Sequence, residues 1–427
     1  MPLFRSASGG QRVFLAAAAA FLLVAPFPSS AGWRVFFLLC AGLALAFLAR
    51  RGEQRLELGV VPRTLAIAAA AWLALCLASL AWSVDPAYTL DELRRELAYG
   101  LGAFLVFFIG TRSVARFHLW IATLFFGALL LGLGEWLHMV FPRVWLFRKA
   151  SLGPGPLSTH VLMLAPLLLV WAWRPPLGMA QRLHVVVLGA AFLVAAGMAG
   201  ESRMLWPALL VAATVAFAVF SLQAPPASAS REIAKRTFLV ALAIFPILMI
   251  VSAEYKMRYY PKAASAAESL ELDERPLIWR IAAAQAARRP WAGHGYGREI
   301  AGSEIEKGLA AAGVPKPFGH GHNVFLDTVV QLGALGIVAF GALVAALAAA
   351  FWRLRARGDA MLIAMCGLAV LAGYLAKNLT DDFYHRPNSL VFWAVNGMLL
   401  GLASRPSAWE SQRAAAAPAT GIPAPSA

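Results

Sequence analysis

The sequence predicts an all-α polytopic membrane protein with about twelve transmembrane helices. Of its 427 residues, 60% are hydrophobic and only 14% are charged. A soluble domain is about half apolar and about a quarter charged. Apolar runs close to the ~20 residues that span a bilayer recur along the chain. These observations exclude a soluble globular fold.

The basic charge of the chain does not indicate a nucleic-acid-binding protein. The net charge is +15, but the Lys and Arg residues lie in short clusters between apolar segments. There they act as topology signals and contact lipid headgroups. We therefore expect membrane lipids, and no nucleic acid, as partners. Cys40, Cys76 and Cys366 fall inside apolar runs and are typical of small core residues.

The expected spans follow one another along the chain. They lie at residues 13–28, 33–48, 64–82, 101–110, 118–140, 157–173, 183–199, 205–220, 238–253, 323–352, 361–377 and 389–402. The fourth is short, and we expect it to begin nearer Leu93. The chain then divides into helices one to nine (1–253), a large loop (254–322), helices ten to twelve (323–404) and an Ala/Pro-rich tail (405–427) that we expect to be disordered.

The Lys and Arg residues of the short loops predict the orientation. One set, which includes Arg50, Arg51 and Arg353, is roughly twice as large as the set that includes Arg34 and Arg94. The larger set should be cytoplasmic. With an even number of spans, including a retained first helix, both termini are then cytoplasmic and the loop 254–322 is extracytoplasmic.

The large loop contains one clear helix signal, at residues 273–289. Asp273 can cap this helix, Pro276 is tolerated in its first turn, and Pro290 ends it. An apolar face predicts an amphipathic helix that lies on the membrane or over the bundle. The face consists of Leu277, Ile278, Ile281 and Ala284.

Basic and imidazole side chains cluster at the outer ends of the helices. Arg203 precedes the eighth span and Arg275 lies in the first turn of the loop helix, where free backbone N–H groups also attract anions. His320 and His322 lie where the loop re-enters the membrane, and a neutral histidine can take a proton from a sugar hydroxyl. Simpler roles remain open: Arg203 contacts headgroups, Arg275 pairs with a nearby glutamate, and His322 with Asn323 caps a helix.

We expect neither a cofactor nor a metal. The sequence has no nucleotide-binding loop and no Cys/His metal spacing, and Asp381-Asp382 is a weak metal candidate. An activated lipid-linked donor with a diphosphate leaving group would supply the driving force.

Four short motifs occur in order between residues 270 and 340. They are Arg275-Pro-Leu-Ile-Trp279-Arg, Arg289-Pro290-Trp-Ala-Gly293-His-Gly295-Tyr-Gly297, His322-Asn323-Val-Phe325-Leu326 and Gly333-Ala-Leu-Gly336. Together they resemble the bacterial O-antigen ligase and O-antigen polymerase superfamily. The glycines Gly333 and Gly336 would let the tenth span pack closely against a neighbour, which would steady His322.

The resemblance implies a glycosyltransferase with the membrane-embedded C-type architecture, in the bacterial inner membrane and with its active site facing the periplasm. Such enzymes move a glycan from undecaprenyl diphosphate to a lipid A–core sugar hydroxyl, with inversion and without metal. By position, His322 matches the general base, and Arg275 and Arg203 match arginines that hold the diphosphate. Secondary candidates are His320 as a second possible base, Arg280, Asn323, Asp382 and Arg386.

Two other functions remain open on the sequence alone. An O-antigen polymerase of the same superfamily would join two undecaprenyl-linked units, although the Arg and His-Asn patterns look more like the ligase branch. A lipid or glycan transporter would place paired charges near the bilayer midplane, whereas the charged residues here lie at the outer rim.

Overall fold

Apolar runs of this length form helices because a helix satisfies its own backbone hydrogen bonds in lipid. The computed structural model describes residues 2–54, 61–145, 153–169, 188–189, 191–192, 194–197, 199, 202–225, 228–259, 274–314, 318–358 and 360–405. Within these ranges every regular element is helical, as the sequence predicts.

We number the main helices from α1 to α14. They are α1 (Gly9–Val24), α2 (Ala31–Arg50), α3 (Arg63–Ala78), α4 (Pro86–Glu92), α5 (Tyr99–Gly110), α6 (Val114–Val140), α7 (Pro154–Leu164), α8 (Leu205–Gln223), α9 (Ala229–Tyr259), α10 (Arg275–Arg288), α11 (Gly302–Ala311), α12 (Val324–Trp352), α13 (Ala360–Lys377) and α14 (Arg386–Ala403). A short helix, Pro2–Arg5, precedes α1. A π-helix, Leu93–Ala98, joins α4 to α5, and short 3-10 segments follow α3 (Ser79–Ala81) and α7 (Ala165–Leu167).

Among the described residues, 7 helices are long and apolar enough to cross a membrane. They are α2, α3 with its 3-10 extension, α6, α8, most of α9, α12 and α13. The polytopic helical class is therefore confirmed, while the number twelve stays a prediction. The spans predicted at 157–173 and 183–199 lie partly outside the described residues, as does nearly all of the predicted tail. The helical path into α5 begins at Pro86, earlier than the predicted fourth span.

Helix α14 packs closely along α5, and glycines make this approach possible. A Cβ atom at Gly397 would lie 2.4 Å from the carbonyl oxygen of Phe104, and one at Gly401 would lie 2.4 Å from that of Phe108. Small residues four apart let the backbones of membrane helices approach in this way. The packing brings the start of α14 to Glu96, whose two carboxylate oxygens accept from the backbone N–H of Arg386 at 2.9 and 2.8 Å.

Helix α12 is interrupted at Gly333, which has φ 62° and ψ −154°. The loop 289–297 enters the break. The N–H groups of His294 and Gly295 donate to the carbonyls of Val330 and Gln331 at 3.0 and 2.9 Å, and the N–H of Ala334 donates to Pro290 at 2.7 Å. The close neighbour of Gly333 is therefore this loop.

Helix α10 lies over the bundle, against α12 and α11. It begins at Arg275 after Glu274, and the predicted cap Asp273 lies outside the described residues. Its buried side chains include Ile278, Ala282 and Gln285. Ala284 is exposed, so the predicted apolar face was wrong at that position. Ile278 faces Val330 of α12, and both residues belong to a small hydrophobic core that is separate from the main core of the bundle.

Candidate active site

The first turn of α12 fixes the position of His322. The side chain of Asn323 caps this helix, because its Oδ1 accepts from the N–H groups of Phe325 and Leu326 at 3.0 and 3.1 Å. Its Nδ2 donates to the carbonyl of Leu379 at 2.9 Å, which ties α12 to the loop after α13. His322, just before the cap, has a φ of 49°, a left-handed conformation that is costly for a residue with a side chain. Asn323 is thus a structural cap, the simpler of the two roles that the sequence leaves open.

His322, Asp381 and Arg275 meet at this end of the bundle. The Nδ1 atom of His322 lies 3.0 Å from Oδ1 of Asp381, and a guanidinium nitrogen of Arg275 lies 4.0 Å from Oδ2. A carboxylate only accepts, so Nδ1 carries a proton, and in the neutral ring Nε2 carries the lone pair. Nε2 is buried and has no hydrogen-bond partner. Burial raises the pKa of Asp381, but the hydrogen bond from His322 outweighs it and holds that pKa below its ordinary value.

The second candidate base, His320, is engaged differently. Arg298 makes a short contact with its Nε2, and because a guanidinium can only donate, that nitrogen accepts. The Nδ1 atom accepts from the backbone N–H of His322 at 3.1 Å and lies 3.6 Å from Oδ2 of Asp327. Burial, with the positive charge of Arg298, lowers the pKa of His320 to about 3. Its ring lies against that of His322, with the centroids 4.0 Å apart. The lone pair of His320 is occupied, so the geometry favours His322 as the base.

Sequence reasoning missed Arg298. It follows the Gly295-Tyr-Gly297 turn, and its guanidinium contacts both His320 and Nδ1 of His385, the latter at 3.0 Å. Both glycines have positive φ, and a Cβ at either would collide with Ser83 or Tyr88. A basic residue directly after a glycine turn in the matching motif was the available signal.

Asp381 and Asp382 enter different surroundings, and sequence reasoning selected Asp382 alone as a site candidate. Asp382 is buried, and its Oδ1 accepts from the N–H of Tyr384 at 3.0 Å. Burial and the nearby Asp327 carboxylate raise the pKa of Asp382 to about 6. Asp381 is the carboxylate that contacts His322. The loop is not helical here, so two adjacent residues can serve separate clusters.

The start of α14 forms a second polar cluster. A guanidinium nitrogen of Arg386 lies 3.5 Å from Oε1 of Glu92, and Nε2 of His385 lies 3.3 Å from Oε2 of the same residue. Burial lowers the pKa of His385 to about 4; Glu92 acts against this effect and Arg298 adds to it. Arg386 and Arg298 both contact His385, so the two arginines are close to each other. The structure does not bring Arg386 into contact with His322.

The two remaining arginine candidates lie in different places. Arg203 occupies the turn before α8, next to Ser202, whose hydroxyl accepts from Nζ of Lys377 at 2.9 Å. Lys377 ends α13, four residues before Asp381, so the turn with Arg203 lies at the same end of the bundle. Arg280 is exposed and lines a groove between α10 and α11 with Arg288 and Lys307.

Two sets of described residues have the donor types and spacing that a metal ion needs. In each set the candidate ligand atoms lie within 4.8 Å of one another: His320 with His322 and Asp381, and Glu92 with Glu96 and His385. The sequence hides both sets because their members come from distant segments. In each, Arg298 faces a histidine nitrogen. A metal ion would have to displace or tolerate that cation, which makes either fit poor.

The fold and this cluster define an all-helical, polytopic membrane protein with a histidine–carboxylate–arginine site at one end of its bundle. Residues 184–341 match a family model described as O-antigen ligase. The matched segment contains Arg203, Arg275, Arg298 and His322. This match confirms the resemblance over residues 184–341 and indicates a domain of the O-antigen ligase or polymerase type there. No match was found among curated proteins.

Proposed function

We propose that this protein is an O-antigen ligase. It transfers a glycan from undecaprenyl diphosphate to a sugar hydroxyl of lipid A–core, at the periplasmic face of the bacterial inner membrane. The observation that carries the proposal is the unpartnered, buried Nε2 of His322, inside the matched domain and oriented by Asp381. Such a nitrogen can accept a proton, which is what an attacking hydroxyl must give up.

The proposed reaction is one displacement. The acceptor oxygen attacks the anomeric carbon and loses its proton to Nε2 of His322. The bond between that carbon and the diphosphate oxygen breaks, its electron pair leaves with the diphosphate, and the configuration inverts. Asp381 stabilises the imidazolium that forms. Arg275 and Arg203 stabilise the charge that develops on the departing diphosphate, where electrostatic stabilisation counts most.

Transfer in a reconstituted system tests this function. Full-length protein is mixed with undecaprenyl diphosphate-linked O-antigen and lipid A–core, with chelator and without ATP. We expect a lipopolysaccharide ladder from wild type, and a rate lower by ~10²–10⁴ in His322→Ala, because the base is lost. Arg275→Ala and Arg203→Ala should also lose transfer. His118→Gln, at the start of α6, is the control and should resemble wild type.

The other outcomes are equally informative. Lengthened lipid-linked glycan without a ladder would move the assignment to O-antigen polymerase. If neither product forms, the result would favour a transporter. Unchanged transfer by His322→Ala would remove the histidine from the reaction.

A further inference from the structure

A cavity of about 760 Å³ lies beside the histidine cluster, between α1, α2 and the start of α14. Its charged lining consists of Arg34, Arg94, Arg95, Arg298 and Arg386, facing Glu96 and Asp382. Sequence analysis treated Arg34, Arg94 and Arg95 only as topology signals. The cavity gathers five guanidinium groups against two carboxyl groups, so an anion would find a strongly favourable site there.

The protein neutralises only part of this positive charge, because Arg94 and Arg95 pair with Asp91 at 2.7 and 2.9 Å and Arg386 lies 3.5 Å from Glu92, whereas Arg34 and Arg298 contact neutral groups. Arg298 contacts His320, which is buried, and His385, which is partly buried, and the lowered pKa of each keeps both neutral; its own Nε is buried without a hydrogen-bond partner. Arg34 is only 7% exposed, and its guanidinium donates to the carbonyl of Ala25 at 3.4 Å, a neutral acceptor. A cation held against neutral groups keeps its full attraction for a ligand anion.

The remaining walls of the cavity are apolar. Phe21, Val35, Leu38 and Leu390 line it. Helix α2 is long and apolar enough to cross a membrane, and it exposes Phe36, Leu39 and Leu43 on its outer face. The cavity thus combines a basic end with the kind of surface that accepts hydrocarbon. Its chemistry suits an anionic group carried on a lipid better than a soluble anion.

A chain of contacts connects the cavity with the proposed donor site. It runs from Arg298 to His320, then to His322, Asp381 and Arg275. The cavity reaches this chain at Arg298, and the proposed diphosphate site reaches it at Arg275. Transfer between two lipids brings both of them to one base, so a lipid site on either side of His322 is the arrangement that the reaction needs.

We propose that this cavity binds a phosphate of the acceptor glycolipid, leaving Arg275 and Arg203 to the donor diphosphate. The assignment to the acceptor rests on the proposed transfer reaction. The affinity of the cavity for a phosphorylated lipid does not depend on that reaction, and it can be measured without transfer.

Binding to the full-length protein in nanodiscs tests the proposal. The probes are lipid A–core with its phosphates, the same lipid after enzymatic dephosphorylation, and undecaprenyl diphosphate. Removing two guanidinium groups in Arg94→Gln/Arg95→Gln should weaken binding of the phosphorylated lipid at least about tenfold, since charge-assisted bonds are lost. Binding of the other two probes should stay near wild type. Arg34→Gln should give the same pattern.

Lys235→Gln/Arg236→Gln is the matched control. It removes an adjacent basic pair from α9, where Arg236 contacts Glu232 four residues earlier, much as Arg95 contacts Asp91. It should leave binding of all three probes unchanged. Retained binding of undecaprenyl diphosphate by the cavity variants also shows that they are folded.

Two results would overturn the proposal. In one, wild type binds the phosphorylated and dephosphorylated lipids equally well. In the other, the cavity variants lose undecaprenyl diphosphate, which would place the donor in the cavity. A third result separates the two proposals. If wild type makes no lipopolysaccharide but the cavity variants still lose binding of the phosphorylated lipid alone, the proposed transfer reaction is wrong and the phosphate site stands.

Discussion

At the scale of single residues, hydrogen-bond chemistry separates two histidines that are only two positions apart. Arg298 donates to His320, and Asp381 accepts from His322. The first contact occupies the Nε2 lone pair of His320, and the second leaves the Nε2 lone pair of His322 without a partner. The same reasoning gives Asp381 a positioning role, since it fixes which nitrogen of His322 carries the proton.

Asp381→Asn tests this role. An amide can turn its NH₂ group towards Nδ1, which would favour the other tautomer and put the proton on Nε2. We expect a lower maximal rate of transfer, but a smaller loss than the ~10²–10⁴ expected on removing His322 itself. The measurement is kcat in the reconstituted assay, with Asp382→Asn for comparison. Equal kcat values for Asp381→Asn and wild type would exclude an orienting role.

Buried neutral histidines should make the stability of the protein depend on pH. The pKa values of His320 and His385 are lowered to about 3 and about 4, whereas an unfolded histidine titrates near ~6.5. The stability that depends on their neutral state is fully present above the unfolded pKa. It is lost progressively as pH falls from that value to the folded values. At pH ~5 each histidine should already lower the free energy of unfolding by about 2 kcal/mol. Asp382, with its pKa raised to about 6, acts in the opposite sense: its contribution is lost as pH rises through that value.

Comparing variants isolates the contribution of one histidine from that of the carboxyl groups. Relative to wild type, we expect the thermal unfolding midpoint of His385→Gln in detergent to be higher at pH ~5 than at pH ~7, because the variant has lost one of the two histidines. His118→Gln should differ from wild type by the same amount at both pH values. An equal difference between His385→Gln and wild type at both pH values would contradict the neutral state of His385.

At the scale of elements, the break in α12 joins the loop 289–297 to the bundle. Backbone groups freed at Gly333 bond to the loop, so the break leaves its hydrogen bonds satisfied. The loop in turn carries Arg298 to the two buried histidines. The site thus depends on a glycine eleven residues away from His322 along the chain.

Gly333→Ala should destabilise the protein strongly. A Cβ there would lie 2.3 Å from the backbone carbon of Trp291, and the positive φ adds strain of about 1–3 kcal/mol. Gly341→Ala is the control in the same helix, because a Cβ at Gly341 meets nothing within 4 Å. It should stabilise by up to ~1 kcal/mol, the difference in helix propensity. The measurement is the thermal unfolding midpoint of each variant. Equal midpoints for Gly333→Ala and Gly341→Ala would mean that Gly333 tolerates a side chain.

At the scale of the whole molecule, the predicted orientation sets both proposed lipid sites on the periplasmic side. Single cysteines test it in a background in which Cys40, Cys76 and Cys366 are replaced. A membrane-impermeant maleimide should label Lys307→Cys, at an exposed position of α11, in intact spheroplasts. Arg357→Cys, after α12, should react only after permeabilisation. The reverse pattern would invert the topology and with it the proposed location of the site.

The sequence by itself determined the helical membrane class, and it selected the segment in which the candidate site lies. Apolar runs and the motif around His322 are local signals, so the order of residues is enough to select Arg275 and His322. The sequence could not choose Asp381 over Asp382, because adjacent residues separate only when the fold of their loop is known.

Tertiary structure alone decided the partners of those residues. His322 and Asp381 are 59 positions apart, and Arg298 meets His385 across 87. The five-arginine cavity gathers side chains from both ends of the chain, so no spacing in the sequence announces it. Individual arginines look like topology signals until helix packing brings their guanidinium groups into one cavity, and only then does their summed charge act on a ligand.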